Sequence, residues 1–155
     1  MSDPNIARLQ PEPLLDNIPE ELRQRPQWIV HKEKVPYIAG GVGRASSTDS
    51  LTWRPFEEAV QALHASPGRY DGIGFVFSSG DPFAGVDLDN CRDPETGELE
   101  EWAAEIVADF DGYAEASPSG TGVHIIVRGK APNKKRGRVE AYSSERFFTV
   151  TGEVL

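Results

Sequence analysis

Four residues in three stretches have the types and spacing of a phosphoryl-transfer site. Asp87 and Asp89 lie in Phe83-Ala84-Gly85-Val86-Asp87-Leu88-Asp89-Asn90-Cys91, His124 in the run Val123 to Val127, and Glu140 in Val139-Glu140-Ala141-Tyr142. A strand sends alternate side chains to opposite faces, so Val86 and Leu88 point into a core while Asp87 and Asp89 share the other side. Two carboxylates fixed on one face repel each other. Mg²⁺ or Mn²⁺, hard ions that take carboxylate oxygens, relieves that repulsion. An isolated Asp-x-Asp reads better as a solvated strand end. Here it follows the apolar strand Ile73-Gly74-Phe75-Val76-Phe77 across the turn residues Ser78-Ser79-Gly80-Asp81-Pro82, which favours a site. A calcium loop starting at Asp87 is excluded, because Cys91 and Arg92 stand where a ligand and a glycine are required.

Alternation along the next strand leaves His124, Ile126 and Arg128 opposite Val123, Ile125 and Val127. Three carboxylates and an imidazole are the parts of metal-assisted nucleotidyl transfer, in which carboxylate-held metals activate a 3′-hydroxyl and neutralise a triphosphate. Singly, His124 reads as a hydrogen-bonded structural residue and Glu140 as a surface acid. The turn Ser117-Pro118-Ser119-Gly120-Thr121-Gly122 shifts that weighting. Gly120 and Gly122 allow backbone conformations that expose consecutive amides, and the Ser117 and Ser119 hydroxyls add donors, so an anion-binding concavity is expected beside His124. Lys34-Val35-Pro36-Tyr37 and Gly40 to Ser47 form a basic, glycine-rich loop carrying Lys34, Arg44 and Ser47. It reads as a phosphate cradle or as a flexible connection, and it lacks the P-loop spacing.

These groups need elements to hold them. The chain has 155 residues, 38% hydrophobic and 9% aromatic, which fits one globular domain. Residues 1–24 are rich in proline and acid and read as an extended arm, with Pro19 opening one helical turn; residues 25–155 form the domain proper. Strands are expected at Trp28 to Val30, Ile73 to Phe77, the Asp87 stretch paired with it as a hairpin, Tyr113 to Ser117, Val123 to Val127, Val139 to Tyr142 and Phe147 to Thr151. Helices are expected from Pro55 to His64, and over Leu99, Trp102, Ile106 and Phe110. The class is α+β with a largely antiparallel sheet.

Charge and cysteine usage limit the partners. One cysteine, Cys91, excludes a disulfide framework and a cysteine-based zinc site, and no signal or membrane span is read, so the expected location is cytoplasmic. Net charge is −9, yet six of the 16 basic residues (Arg128, Lys130, Lys134, Lys135, Arg136, Arg138) fall within eleven positions that contain no acid. Local charge governs a backbone contact, so this run is a candidate for nucleic acid, with a solvated loop as the alternative.

The ordered set of these pieces resembles the primase-polymerase domain at the N-terminus of phage and plasmid replication proteins, in the archaeo-eukaryotic primase superfamily. The resemblance runs through Arg25-Pro26-Gln27-Trp28, Lys34-Val35-Pro36-Tyr37, Ala45 to Asp49 and Gly72 to Phe77. It continues through Gly85 to Asp89, Ser117 to His124, Glu140-Ala141-Tyr142 and Arg146 to Gly152. It implies an RNA-recognition-motif-like catalytic core preceded by a small α/β unit, with metal-binding acids at Asp87, Asp89 and Glu140. The nucleotide would be contacted by His124, Arg146 and the serine-glycine turn. The implied activity is template-directed synthesis on single-stranded DNA template and primer from dNTP or NTP, with a helicase domain or subunit as partner. Family members continue past the point matching Leu155, so the chain reads as a truncated domain, a stand-alone module or a domain lacking part of its DNA grip. The rival readings are a non-catalytic nucleotide- or nucleic-acid-binding module of the same fold, and a metal-dependent nuclease or nickase. The nickase lacks its pair of histidines one residue apart, since only His31, His64 and His124 are present.

Overall fold

The computed structural model describes residues 12–130 and 132–155. Among these residues nine antiparallel strands form two sheets. The first, in the order β2-β1-β3-β9, contains β1 (Trp28–Lys32), β2 (Val35–Tyr37), β3 (Gly72–Phe77) and β9 (Arg146–Val150). The second, in the order β5-β6-β4-β8-β7, contains β4 (Phe83–Leu88), β5 (Tyr113–Ala116), β6 (Val123–Arg128), β7 (Lys134–Arg136) and β8 (Val139–Tyr142). The α+β class holds, with two sheets rather than one.

Among the described residues four α-helices accompany these sheets: α1 (Glu12–Leu15), α2 (Glu20–Arg23), α3 (Phe56–Ala65) and α4 (Glu101–Asp109). Helix α3 starts just after Pro55, with Glu57 and Glu58 favourably placed against its N-terminal dipole. Its Phe56, Ala59 and Leu63, spaced for one face, join Trp28, Val30, Ile73 and Phe75 in the larger core. Each fully buried Leu, Ile or Phe there contributes about 1.5–3 kcal/mol. Helix α4 packs Ala103, Trp102 and Ile106 on Val86, Leu88, Val123 and Ile125 of the second sheet. Phe110, expected on that face, caps the helix and is 40% exposed. Among the described residues no helix is long and apolar enough to cross a membrane.

Two expectations are corrected. The part of the N-terminal arm that is described, residues 12–24, is not extended: its two short helices bury Leu15, Ile18 and Leu22 in the larger core. The arm's first eleven residues lie outside the described residues. Nor do β3 and β4 form a hairpin; the chain crosses from one sheet to the other between them. Buried Asp81 fixes the crossing, since its carboxylate accepts hydrogen bonds from the Ser78 and Phe83 amides, Gln27 Nε2 and Lys130 Nζ at 2.7–2.9 Å.

Candidate active site

Register on the second sheet assembles the site. Asp87, on the central strand β4, pairs with His124 of β6 on one side and Glu140 of β8 on the other. The row extends to Glu115 of β5, opposite His124, and to Lys135 of β7, opposite Glu140. Directly paired residues project to the same face. The opposite face, with Val86, Leu88, Val123 and Ile125, is the one packed against α4. The Asp89 amide donates to the Arg138 carbonyl at 2.8 Å, which continues the ladder and keeps Asp89 on the face of Asp87.

The first sheet closes over this face. Phe148 of β9 stacks on the His124 ring, with centroids 4.5 Å apart and planes at 19°. The stack is possible because Gly85, next in the β4 row, has no side chain: a Cβ there would lie 2.5 Å from Phe148 Cε2. His124 Nδ1 is 2.9 Å from the Thr149 carbonyl, and Nε2 is 3.5 Å from Asp87 Oδ1. A cleft of about 120 Å³ results, lined by Lys34, Asp87, His124, Tyr142, Phe147, Phe148 and Thr149. Lys34 reaches it from the β1–β2 turn, where Glu33 and Lys34 both have positive φ (49° and 65°). Neither is the glycine or asparagine such a two-residue turn prefers. Asp71 steadies the turn through the Glu33 amide at 2.6 Å and Lys32 Nζ at 3.1 Å.

The charges in the row shape one another. Burial pushes the Asp87 carboxyl above its ordinary range; His124 and Lys34 oppose that shift, while Asp89 and Glu140 add to it. For His124, burial alone would lower the basicity of the ring. Its contacts with Glu115 and Asp87, and the Thr149 carbonyl, outweigh burial and raise it. Burial, then a hydrogen bond with Glu140, drives the Tyr142 phenol well above its usual value. Among the described residues, no three His, Cys, Asp or Glu side chains are gathered as a metal site.

The other expected residues are placed as follows. Lys34 shares the cleft with Asp87 and His124, and Arg146 lies over the Tyr142 ring at 5.7 Å. Arg44 bridges to Tyr37, and Ser47 Oγ donates to the Glu145 carbonyl, in a separate groove with Ser78 and Ser144. The serine-glycine turn abuts the Asp89 end of β4. Its amides, however, are occupied within the turn: Gly120 donates to the Ser117 carbonyl, Thr121 to Ser119 Oγ and Gly122 to Ser117 Oγ. The open concavity expected from Gly120 and Gly122 is therefore absent from this conformation, because the two serine hydroxyls act there as acceptors.

Nor is the basic run a single patch. Arg128 is paired with Glu21, Lys130 Nζ contacts Asp81 and the Ser78 and Ser143 carbonyls, and Arg138 is paired with Glu100 over the Trp102 ring. Lys134, Lys135 and Arg136 form the exposed edge strand β7. Sequence reasoning missed Glu115, Phe148 and Thr149. For Glu115 the signal was present, since pairing Ala116 with Val123 across the Ser117–Gly122 turn necessarily sets Glu115 opposite His124.

No family model matches the chain. It is 37% identical over 143 residues to the DNA primase-polymerase of Nitratiruptor phage NrS-1, an alignment covering 83% of this chain and 19% of the phage protein. The chain thus spans about a fifth of the length of the curated relative it matches. By that similarity, which agrees with the α+β fold and the acid-bearing sheet, the chain is placed among the primase-polymerase domains.

Proposed function

We propose that this domain is a template-directed nucleotidyl transferase that makes or extends a primer, taking single-stranded DNA as template and dNTP or NTP as substrate. The observation that carries the reading is the cross-strand row His124–Asp87–Glu140, of which His124 and Asp87 line a cleft that Lys34 enters from the other sheet. Asp87, Asp89 and Glu140 would hold Mg²⁺ or Mn²⁺. Donor type, shared face and the like-charge pressure that Asp89 and Glu140 exert on Asp87 support that role, and the three side chains would have to draw together around the ion, since they are not gathered in this conformation. When bound, the metal supplies Lewis-acid activation of a primer hydroxyl and neutralises triphosphate charge.

The chain's own residues bind and orient. His124 has its Nδ1 proton on the Thr149 carbonyl, and in the protonated ring that Glu115 and Asp87 favour, Nε2–H is the donor offered to a triphosphate oxygen. Lys34 and Arg146 bring positive charge to the cleft and its rim. Ser117, Ser119, Gly120 and Gly122 flank the acids, and Arg44 and Ser47 extend the nucleotide contact along the first sheet. Strand β7, with Lys134, Lys135 and Arg136 exposed, is suited to the sugar-phosphate backbone. The sheet, with α4 on one face and the acids on the other, supports the RNA-recognition-motif-like core that the family resemblance implies. A helicase domain or subunit is the partner that would expose the template.

Primer extension with labelled nucleotides and Mg²⁺ or Mn²⁺ tests the reading. The wild-type domain should extend a templated primer, and the Asp87→Asn, Asp89→Asn double variant should not. A wild-type domain that binds single-stranded DNA and nucleotide but adds nothing to the primer is a binding module instead.

A further inference from the structure

Glu115 is fully buried at the far end of the row, and the proposed chemistry gives it no task. Its Oε1 accepts hydrogen bonds from the Tyr113 hydroxyl at 2.8 Å and the Gly152 amide at 3.1 Å. Its Oε2 accepts from the Thr151 amide at 2.8 Å, lies 3.0 Å from the Thr151 hydroxyl, and is 3.8 Å from His124 Nδ1. Three of these groups belong to Thr151 and Gly152, the residues that follow β9. Just upstream on the same strand are the two features that orient the histidine: the Phe148 ring stacked on it and the Thr149 carbonyl on Nδ1. A carbonyl only accepts, so Nδ1 carries the proton and Nε2 is turned toward Asp87.

We propose that Glu115 is the positioning residue of this site: by tying Thr151 and Gly152 to β5, it holds Phe148 and the Thr149 carbonyl against His124, so that Nε2 faces the cleft. The role rests on the reading that His124 contacts the nucleotide. A carboxylate is suited to it because one planar group takes the donors of two consecutive residues and still faces the imidazole. An apolar residue of similar volume would fill the space but leave the Thr151 and Gly152 amides without acceptors.

The test is a double-mutant cycle on dATP affinity, measured by calorimetry in the presence of Mg²⁺ with Glu115→Gln, His124→Ala and the two combined. Glu115→Gln should weaken dATP binding about tenfold when His124 is present and less than about twofold when it is absent. Equal losses in both backgrounds would overturn the proposal and leave Glu115 as a structural tie. Should Glu115→Gln fail to fold, Thr151→Val, which removes one hydroxyl contact, enters the same cycle with an expected loss of about threefold. If His124→Ala leaves dATP affinity unchanged, the nucleotide role of His124 is what fails. The positioning role is then decided by the ring-nitrogen NMR shifts of neutral His124, which should report a proton on Nδ1 in the wild type and a mixture of tautomers in the Glu115 or Thr151 variant. Unchanged shifts would sink it.

Discussion

Replacing Gly85 by alanine tests how the two sheets share the site. Gly85 has no positive φ, so alanine meets no backbone strain and the effect is steric alone. The added Cβ would lie 2.5 and 2.7 Å from Cε2 and Cζ of Phe148 and 2.7 Å from Cζ of Phe77, closer than real Cβ contacts come. Neither ring can swing away into solvent, since Phe77 is 0% and Phe148 3% exposed. They interlock edge to face, with centroids 5.1 Å apart, and Tyr142 closes the other side of Phe148 at 5.5 Å. Overpacking of this kind costs about 1–3 kcal/mol. Urea unfolding should therefore show a lower midpoint at unchanged slope for Gly85→Ala. Adding Phe148→Leu should return part of that stability by making room. It also removes the aromatic surface on which His124 rests, so dATP affinity should stay weak in the double variant. Stability recovering while binding does not is the signature of the shared ring. A Gly85→Ala domain within about 0.5 kcal/mol of wild type would refute the steric reasoning.

Asp87 has a folded-state pKa raised by burial, so its ionisation works against folding as pH rises through that pKa. Asp87→Asn should then be more stable than wild type near neutrality, the gain vanishing as pH falls below the ordinary carboxylate range. Added Mn²⁺ should raise the melting temperature of wild type and not that of the variant, by linkage to binding. His31 behaves in the opposite sense: burial lowers its pKa from 6.5 to about 4, so stability should fall by about 3 kcal/mol as pH drops through that interval. His31→Leu should flatten that part of the acid-unfolding profile; an unchanged profile would assign the loss to other groups. Lys130→Met should lower the unfolding midpoint with little change in the salt dependence of single-stranded DNA binding, because Lys130 serves Asp81. Lys134, Lys135 and Arg136 changed together to glutamine should do the reverse, reducing the slope of log affinity against log salt by about 2.

What was legible in the sequence was whatever strand alternation controls. Val86 and Leu88 against Asp87 and Asp89, and Val123 and Ile125 against His124, are period-two patterns, and both faces came out as read. Partition between sheets was not legible. Nothing local distinguishes a hairpin turn at Ser78–Pro82 from a crossing, because the difference lies in Gln27 and Lys130, about fifty positions away on either side of Asp81. The glycine turn misled for a related reason. Serine hydroxyls both donate and accept, and sequence does not say which they do; here Ser117 and Ser119 accept from the turn's own amides. In the basic run, the neutralising partners Glu21, Asp81 and Glu100 are all remote, so charge density along the chain overstated charge density on the surface.

Read across the sheet as signs, the row Glu115, His124, Asp87, Glu140, Lys135 runs minus, plus, minus, minus, plus, with His124 held toward its protonated form. It is an alternating strip with a single fault, at the Asp87–Glu140 pair. Like charges directly opposite each other cost stability, and no charge reversal at 140 mends the strip, since a lysine there would face Lys135. The fault concentrates negative charge at one known place in the folded domain, where a bound cation would offset it. On the metal role proposed for Glu140, Glu140→Gln should relieve the repulsion on Asp87 and weaken the rise in melting temperature that Mn²⁺ produces.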